Sequence, residues 1–167
     1  MVQFFEAFPD LSTDDKLYDF FAGSMVEKVA ASKAKMLVFI YLRCDQLIAY
    51  RTIKNMEKKL YKQVFRKLGM RPILEVSFPF ASGYSVQEIV NQYWDNLCQE
   101  LRENNAIDYM KFCKKQAEVV ENQLVLHCDD DFLCHERSSL IRDFFAGRIK
   151  RRFDKDITMK FVYEEKP

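Results

Sequence analysis

The residues with the most chemical potential fall in one short stretch. His127, Cys128, Cys134 and His135, which include both histidines and two of the five cysteines, surround Asp129-Asp130-Asp131. Imidazole and thiolate are zinc ligands, and clustered carboxylates suit Mg²⁺ or Ca²⁺. The spacing argues against both. His127 and Cys128 are neighbours on an apolar segment that reads as a strand, so their side chains point to opposite faces, whereas zinc ligands come as pairs a few residues apart. The aspartates lack the later Gly and Glu of a calcium loop. They stand before a helical pattern, where carboxylates satisfy free amide groups and the positive dipole end. The expectation is no metal, no cofactor, a core role for Cys128 and a capping role for the aspartates.

A second pattern concerns charge. Lys54, Lys58, Lys62 and Arg66 recur four apart, with Lys59 and Lys67 beside them and Glu57 as the only acid in the segment. Opposite runs an apolar stripe of Ile53, Met56, Leu60, Val64 and Leu68, which predicts a helix of about five turns over 51–68. A basic stripe of this kind can lie along phosphates or an acidic protein partner, or it can be a solvated face. Arg148, Lys150, Arg151 and Arg152 form a shorter basic cluster, of which Arg148 and Arg151 are candidate contacts. Phe4, Phe5 and Trp94 are candidate interface aromatics, because such rings often dominate binding energy. A Ser-His-Asp set, a phosphate-cradling Gly-rich loop and a Gly-X-Ser-X-Gly turn are all missing, so no catalytic residue is assigned.

The elements that would position these residues occur twice. Residues 12–79 read as helix, two short strands around a turn, a long amphipathic helix and a closing strand, and residues 85–163 repeat the order. The expected fold is α+β, two tandem small αββαβ domains over 1–80 and 81–167, with Ala81-Ser82-Gly83-Tyr84 as the linker. In the first, Ser12 and Asp15 open a helix that carries Leu17, Phe20 and Phe21 and closes at Gly23. Strands follow at 26–31 and 36–41, and Gly69 and Pro72 end the long helix before a strand at 73–78. In the second, Ser85 and Glu88 form a capping box, Asn104 and Asn105 interrupt the helix, and 107–112 make a short one. A hairpin turns at Asn122, a stripe of Leu140, Ile141, Phe144, Phe145, Ile149 and Phe153 marks the second long helix, and 157–163 close the sheet.

Thirteen bases meet nine acids in residues 1–80, and thirteen meet sixteen afterwards. The first domain is basic and the second acidic, too mild an imbalance to identify a nucleic-acid binder. Five scattered cysteines give no disulfide framework, and no leader precedes them, which points to reduced thiols and a cytoplasmic protein. No apolar run reaches the length of about 20 residues that spans a bilayer.

Three segments carry a resemblance: Phe4-Phe5-Glu6-Ala7-Phe8-Pro9-Asp10-Leu11, the hairpin from Val26-Glu27-Lys28-Val29, and Ser85-Val86-Gln87-Glu88-Ile89-Val90-Asn91-Gln92-Tyr93-Trp94. Together, in this order, they resemble the N-terminal region of the PolC-type DNA polymerase III alpha subunit of low-GC Gram-positive bacteria. The resemblance implies two N-terminal domains, the second KH-like and similar to the C-terminal domain of the clamp-loader tau subunit. The absence of a Gly-X-X-Gly clamp agrees with a KH-like fold that does not read nucleic acid. The parent it implies is a DNA-directed DNA polymerase with a 3'-5' exonuclease, neither of whose catalytic sets lies in these residues. The expected function is a non-catalytic interaction module that binds a replisome protein such as clamp-loader tau. The alternative is a DNA-binding module that uses helix 51–68 to hold template or single-stranded DNA.

Overall fold

A computed structural model describes residues 1–165, and the chain divides into two compact units, the first ending at Ala81 and the second beginning at Ser82. Both are α+β. No helix among the described residues is long and apolar enough to cross a membrane.

The first unit runs β1 (Val2–Gln3), α1 (Phe4–Ala7), α2 (Asp15–Phe21), β2 (Met25–Ser32), β3 (Leu37–Arg43), α3 (Tyr50–Leu60) and β4 (Arg71–Ser77). Its sheet has the order β1-β2-β3-β4. β2 and β3 form an antiparallel hairpin, and β3 pairs in parallel with β4, so α3 is the crossover between them. Val38, Ile40 and Leu42 alternate with Leu74 and Val76 on the face that α3 covers with Ile53, Met56 and Leu60, all buried. β1 is a strand beyond the expected set.

Several boundaries differ from the sequence reading, each for a local reason. α2 is capped by Asp14, whose side chain accepts from the Leu17 amide at 2.8 Å. Ser12 instead meets Gln63, which accepts from its amide at 2.7 Å and donates to its carbonyl at 2.8 Å. Gly23 follows α2 without a left-handed conformation. It is needed for space, because a Cβ there would lie 1.9 Å from the Asp45 carboxylate. β4 starts at Arg71 and carries Pro72, which an edge strand tolerates.

The long helix does not keep one pitch. After α3, Tyr61–Phe65 form a π-helical turn and Arg66–Leu68 a 3₁₀ turn, before Gly69 caps the run at φ 65°. Sequence periodicity continues the buried stripe from Leu60 to Val64 and Leu68. The wider π turn moves the next buried position five residues on, to Phe65, and Leu68 is left 63% exposed.

The second unit runs α4 (Val86–Asn104), α5 (Ala106–Phe112), β5 (Glu118–Val120), β6 (Gln123–Asp129), α6 (Phe132–Phe153) and β7 (Met159–Glu164). β5 and β6 are antiparallel, and β6 and β7 are parallel across the α6 crossover. The capping box at Ser85 and Glu88 is formed. Asn105 ends α4 and caps α5, accepting from the Ile107 and Asp108 amides. The hairpin turns through Glu121 and Asn122, both with positive φ, the geometry that matches strand twist in a two-residue loop. The α6 stripe is buried except at Leu140, which is 53% exposed. The closing strand begins at Met159, two residues later than expected.

One buried polar group joins helix to sheet in the first unit. Glu57 accepts from the outward amide of Leu74 on edge strand β4 at 2.7 Å and from Lys54 Nζ at 3.0 Å. Burial pushes its pKa above the ordinary carboxylate range. Glu57→Ala should cost about 1–3 kcal/mol by stranding the Leu74 amide, read as faster hydrogen exchange at Leu74. The folded pKa exceeds the unfolded one, so this group's contribution is largest below the unfolded value and declines as pH rises through the folded one. Glu57→Gln should flatten that dependence while keeping the acceptor.

Candidate functional site

The basic stripe maps onto the outer face of the 50–68 helical run. Lys58, Lys62 and Arg66 are exposed, as are Arg51, Lys59 and Lys67. Lys54 differs: it is held by Glu57 and lies 5.3 Å from the Tyr50 ring centre. An α-helix turns 100° per residue, so a four-step stripe drifts round the axis. The π turn rotates less per residue, which slows the drift between Lys62 and Arg66. Among the described residues, no acid pairs with Lys58, Lys62 or Arg66, because the run's single acid points inward.

Two shallow grooves flank this ridge, each of about 410 Å³. One lies toward α2, with Leu17 and Phe20 on its wall and Arg51, Lys59 and Lys62 along its rim. The other lies toward β4, with Tyr61, Pro72 and Ile73 on its wall and Arg71 at its rim. Lys58 and Lys62 border both. The arrangement sets lysine and arginine beside apolar side chains, with Asp14 in the first groove and Glu57 in the second.

The remaining candidates are placed differently. Arg148 donates to Glu100 at 2.9 Å and stacks 4.0 Å from the Phe144 ring centre. Arg152 also pairs with Glu100, at 2.6 Å. Burial works against ionisation of Glu100, yet Arg152 and Arg148 hold its pKa below the ordinary value. Arg148 is thereby committed within the unit, while Arg151 lies on the exposed side of α6. Phe4 is fully buried, between Phe8 and Phe21 at centroid distances of 5.4 and 5.3 Å. Phe5 is half-buried and stacks on Tyr18 at 4.4 Å. Trp94, 2% exposed, packs on Phe145 at 4.5 Å and serves the core of the second unit. Phe4 and Trp94 therefore cannot anchor a partner without unfolding their surroundings.

Around the histidines and aspartates, lysine takes the place that a cation would fill. Lys111 reaches Asp131 at 2.8 Å and Asp129 at 3.7 Å, and Lys114 reaches Asp129 at 3.2 Å. Asp131 caps α6 through the Cys134 amide at 2.8 Å, and its pKa is strongly lowered, first by Lys111 and then by that amide. Cys128 is buried, and burial raises its thiol pKa to about 12. Among the described residues no group of three or more His, Cys, Asp or Glu side chains is placed to hold a metal.

The comparison with known proteins bears on the first unit. Residues 3–70 match the family model of DNA polymerase III, polC-type N-terminus I. The match covers most of the first unit and none of the second. No curated protein and no solved structure matches the chain. The basic ridge falls within the matched residues. Two features of the ridge were not visible in the pattern of bases: the inward turn of Glu57 and the apolar floors, which come from elements distant in sequence.

His127 on β6 bonds to Glu164 of β7 and lies 3.2 Å from Glu118 of β5, tying the three strands together. Burial opposes its protonation, but the bonds to Glu164 and Glu118 dominate and raise its pKa. A raised imidazole pKa stabilises fully below the unfolded value of about 6.5 and is lost as pH rises through the folded one. The second unit should therefore lose stability as pH rises from about 6.5 through that raised value, followed by hydrogen exchange in β6, and His127→Gln should remove the pH dependence.

Proposed function

We propose that the chain is a non-catalytic interaction module of a PolC-type polymerase and that the ridge formed by Lys58, Lys62 and Arg66 docks an acidic, partly apolar surface of a replisome protein. The observation that carries this reading is the pairing of an unneutralised basic ridge with two apolar-floored grooves. Charge along a ridge steers encounter and sets orientation, while apolar pockets supply the affinity that exposed ion pairs do not. The resemblance implies the clamp-loader tau subunit as the partner, in the cytoplasm with the rest of the replisome. It also implies a KH-like second unit. The order of helix, hairpin, helix and parallel closing strand in 86–164 supports that, and the chain has no Gly-X-X-Gly clamp. In the full polymerase the chemistry belongs to other domains.

A second reading is favoured by one feature. Seven bases against one acid in residues 50–68 would also suit a phosphate backbone, as in a module that holds template or single-stranded DNA. The two separate by salt dependence and by variant. The triple variant Lys58→Glu, Lys62→Glu, Arg66→Glu should fold normally, since all three side chains are exposed, and should weaken binding to purified tau by about tenfold or more. Unchanged tau binding would sink the ridge as its site. Single-stranded DNA binding that falls steeply between about 50 and 200 mM salt, and disappears in the same variant, would establish the second reading instead.

A further inference from the structure

The sheet of the first unit has an edge that is only partly closed. β1 reaches just Met25 and Val26 of β2, while β3 lies along the other side of β2 from Lys28 to Ser32. Over Lys28–Ser32 the side of β2 away from β3 has no strand beside it among the described residues, and Glu27–Ala31 are exposed. Such a row of backbone donors and acceptors is a template for another extended chain. Proteins blunt such edges with proline, bulges, charges or a covering element. β2 has no proline, and its bulge falls at Glu27, before the open run. Lys28, the one charge within the run, sits 4.5 Å from the Tyr41 ring centre, drawn over the sheet face instead of across the edge. Val29, Ala30, Ala31 and Ser32 are short enough to admit a neighbouring backbone.

We propose that this edge takes up an extended segment of a partner protein as an added strand, and that the segment alternates apolar and acidic residues. The alternation follows from the two faces. Val29 and Ala31 lie opposite Ile40 and Val38 on the apolar side of the sheet, where no helix covers them, and Val29 is 55% exposed. Lys28 lies on the other side, and Lys33 and Lys35 stand at the hairpin tip, with Glu27 the only acid from Met25 to Met36. An acidic strand meets complementary charge along its length, whereas a second copy of this net-positive edge is repelled. Backbone pairing supplies the affinity and the alternating side chains the selection. The surface is distinct from the ridge on the 50–68 run.

The test uses the full chain and a short synthetic peptide alternating valine and glutamate, with residue-resolved hydrogen exchange. Saturation with peptide should slow the outward amides within Lys28–Ser32 by about tenfold or more, in an every-second-residue pattern. Ala30→Pro and Ala31→Pro remove one inward and one outward amide between them. The variant that keeps its circular dichroism spectrum should lose peptide binding, and if neither keeps it the exchange pattern of the unaltered chain decides. Protection confined to the 50–68 run, no protection anywhere, or concentration-dependent protection of the same amides without peptide would each overturn the proposal. The last would identify a second copy as the occupant. Glutamates at Lys58, Lys62 and Arg66 should leave peptide protection of β2 intact, so failure of the ridge reading and failure of this one are separable.

Discussion

The first unit depends on a carboxylate that is turned the wrong way for its surroundings. Glu57 stands in the most basic stretch of the chain, yet its side chain leaves that face and caps the edge strand at Leu74. An edge amide buried against a helix costs about as much as a lost hydrogen bond if it goes unmet. β4 is also weakened by Pro72, which donates nothing. Glu57 offsets both and fixes the crossover helix on the parallel pair. The same rotation removes the only negative charge from the outer face, so one contact both closes the domain and leaves the ridge positive.

The second unit solves the equivalent problem in reverse. Its crossover helix α6 also carries bases near its end, but α4 supplies Glu100, which takes both Arg148 and Arg152 and keeps them near the core. Arg137 is likewise bound in two-fold fashion by buried Asp108, at 3.0 and 2.6 Å. Such pairs, buried on the acid side and partly exposed at Arg148 and Arg137, hold α4 and α5 to α6 at some cost of desolvation. Equivalent elements thus present unlike surfaces: bases faced outward with the acid inside, against bases drawn inward by acids from neighbouring helices.

What was legible in the sequence was whatever local chemistry determines. The strand-forming runs, the Ser85 and Glu88 box, the Asn105 interruption and the Gly69 cap each follow from residues within one turn of each other. The basic stripe at Lys58, Lys62 and Arg66 was legible for the same reason. The fates of Arg148, Phe4 and Trp94 were not, because they depend on Glu100, Phe21 and Phe145, which lie on other elements well beyond one helical turn away. Periodicity treats every apolar residue on a helical face as buried, so Leu68 and Leu140 were assigned inward. It says nothing of which way a lone acid such as Glu57 turns, because that depends on the Leu74 amide of a later strand. Both gaps come from reading a helix without the sheet it packs on.

The π turn is where local pattern and tertiary demand conflict most openly. An unbroken α-helix would bury Val64 and place Gln63 and Phe65 to either side. The added residue in the turn brings Phe65 inward against Phe8, at 6.1 Å between ring centres, and aims Gln63 at both backbone groups of Ser12. π turns give up good hydrogen-bond geometry and persist where something else compensates. Here the compensation is the N-terminal segment: Phe8 gains an aromatic neighbour, and the loop before α2 gains two hydrogen bonds that its own short helices cannot supply. That segment in turn seats Phe4 in the core and sets the α2 wall of the groove beside Lys62. The departure from regular pitch in the helix is therefore what joins the aromatic N-terminus to the basic ridge, so the two are parts of one packed structure.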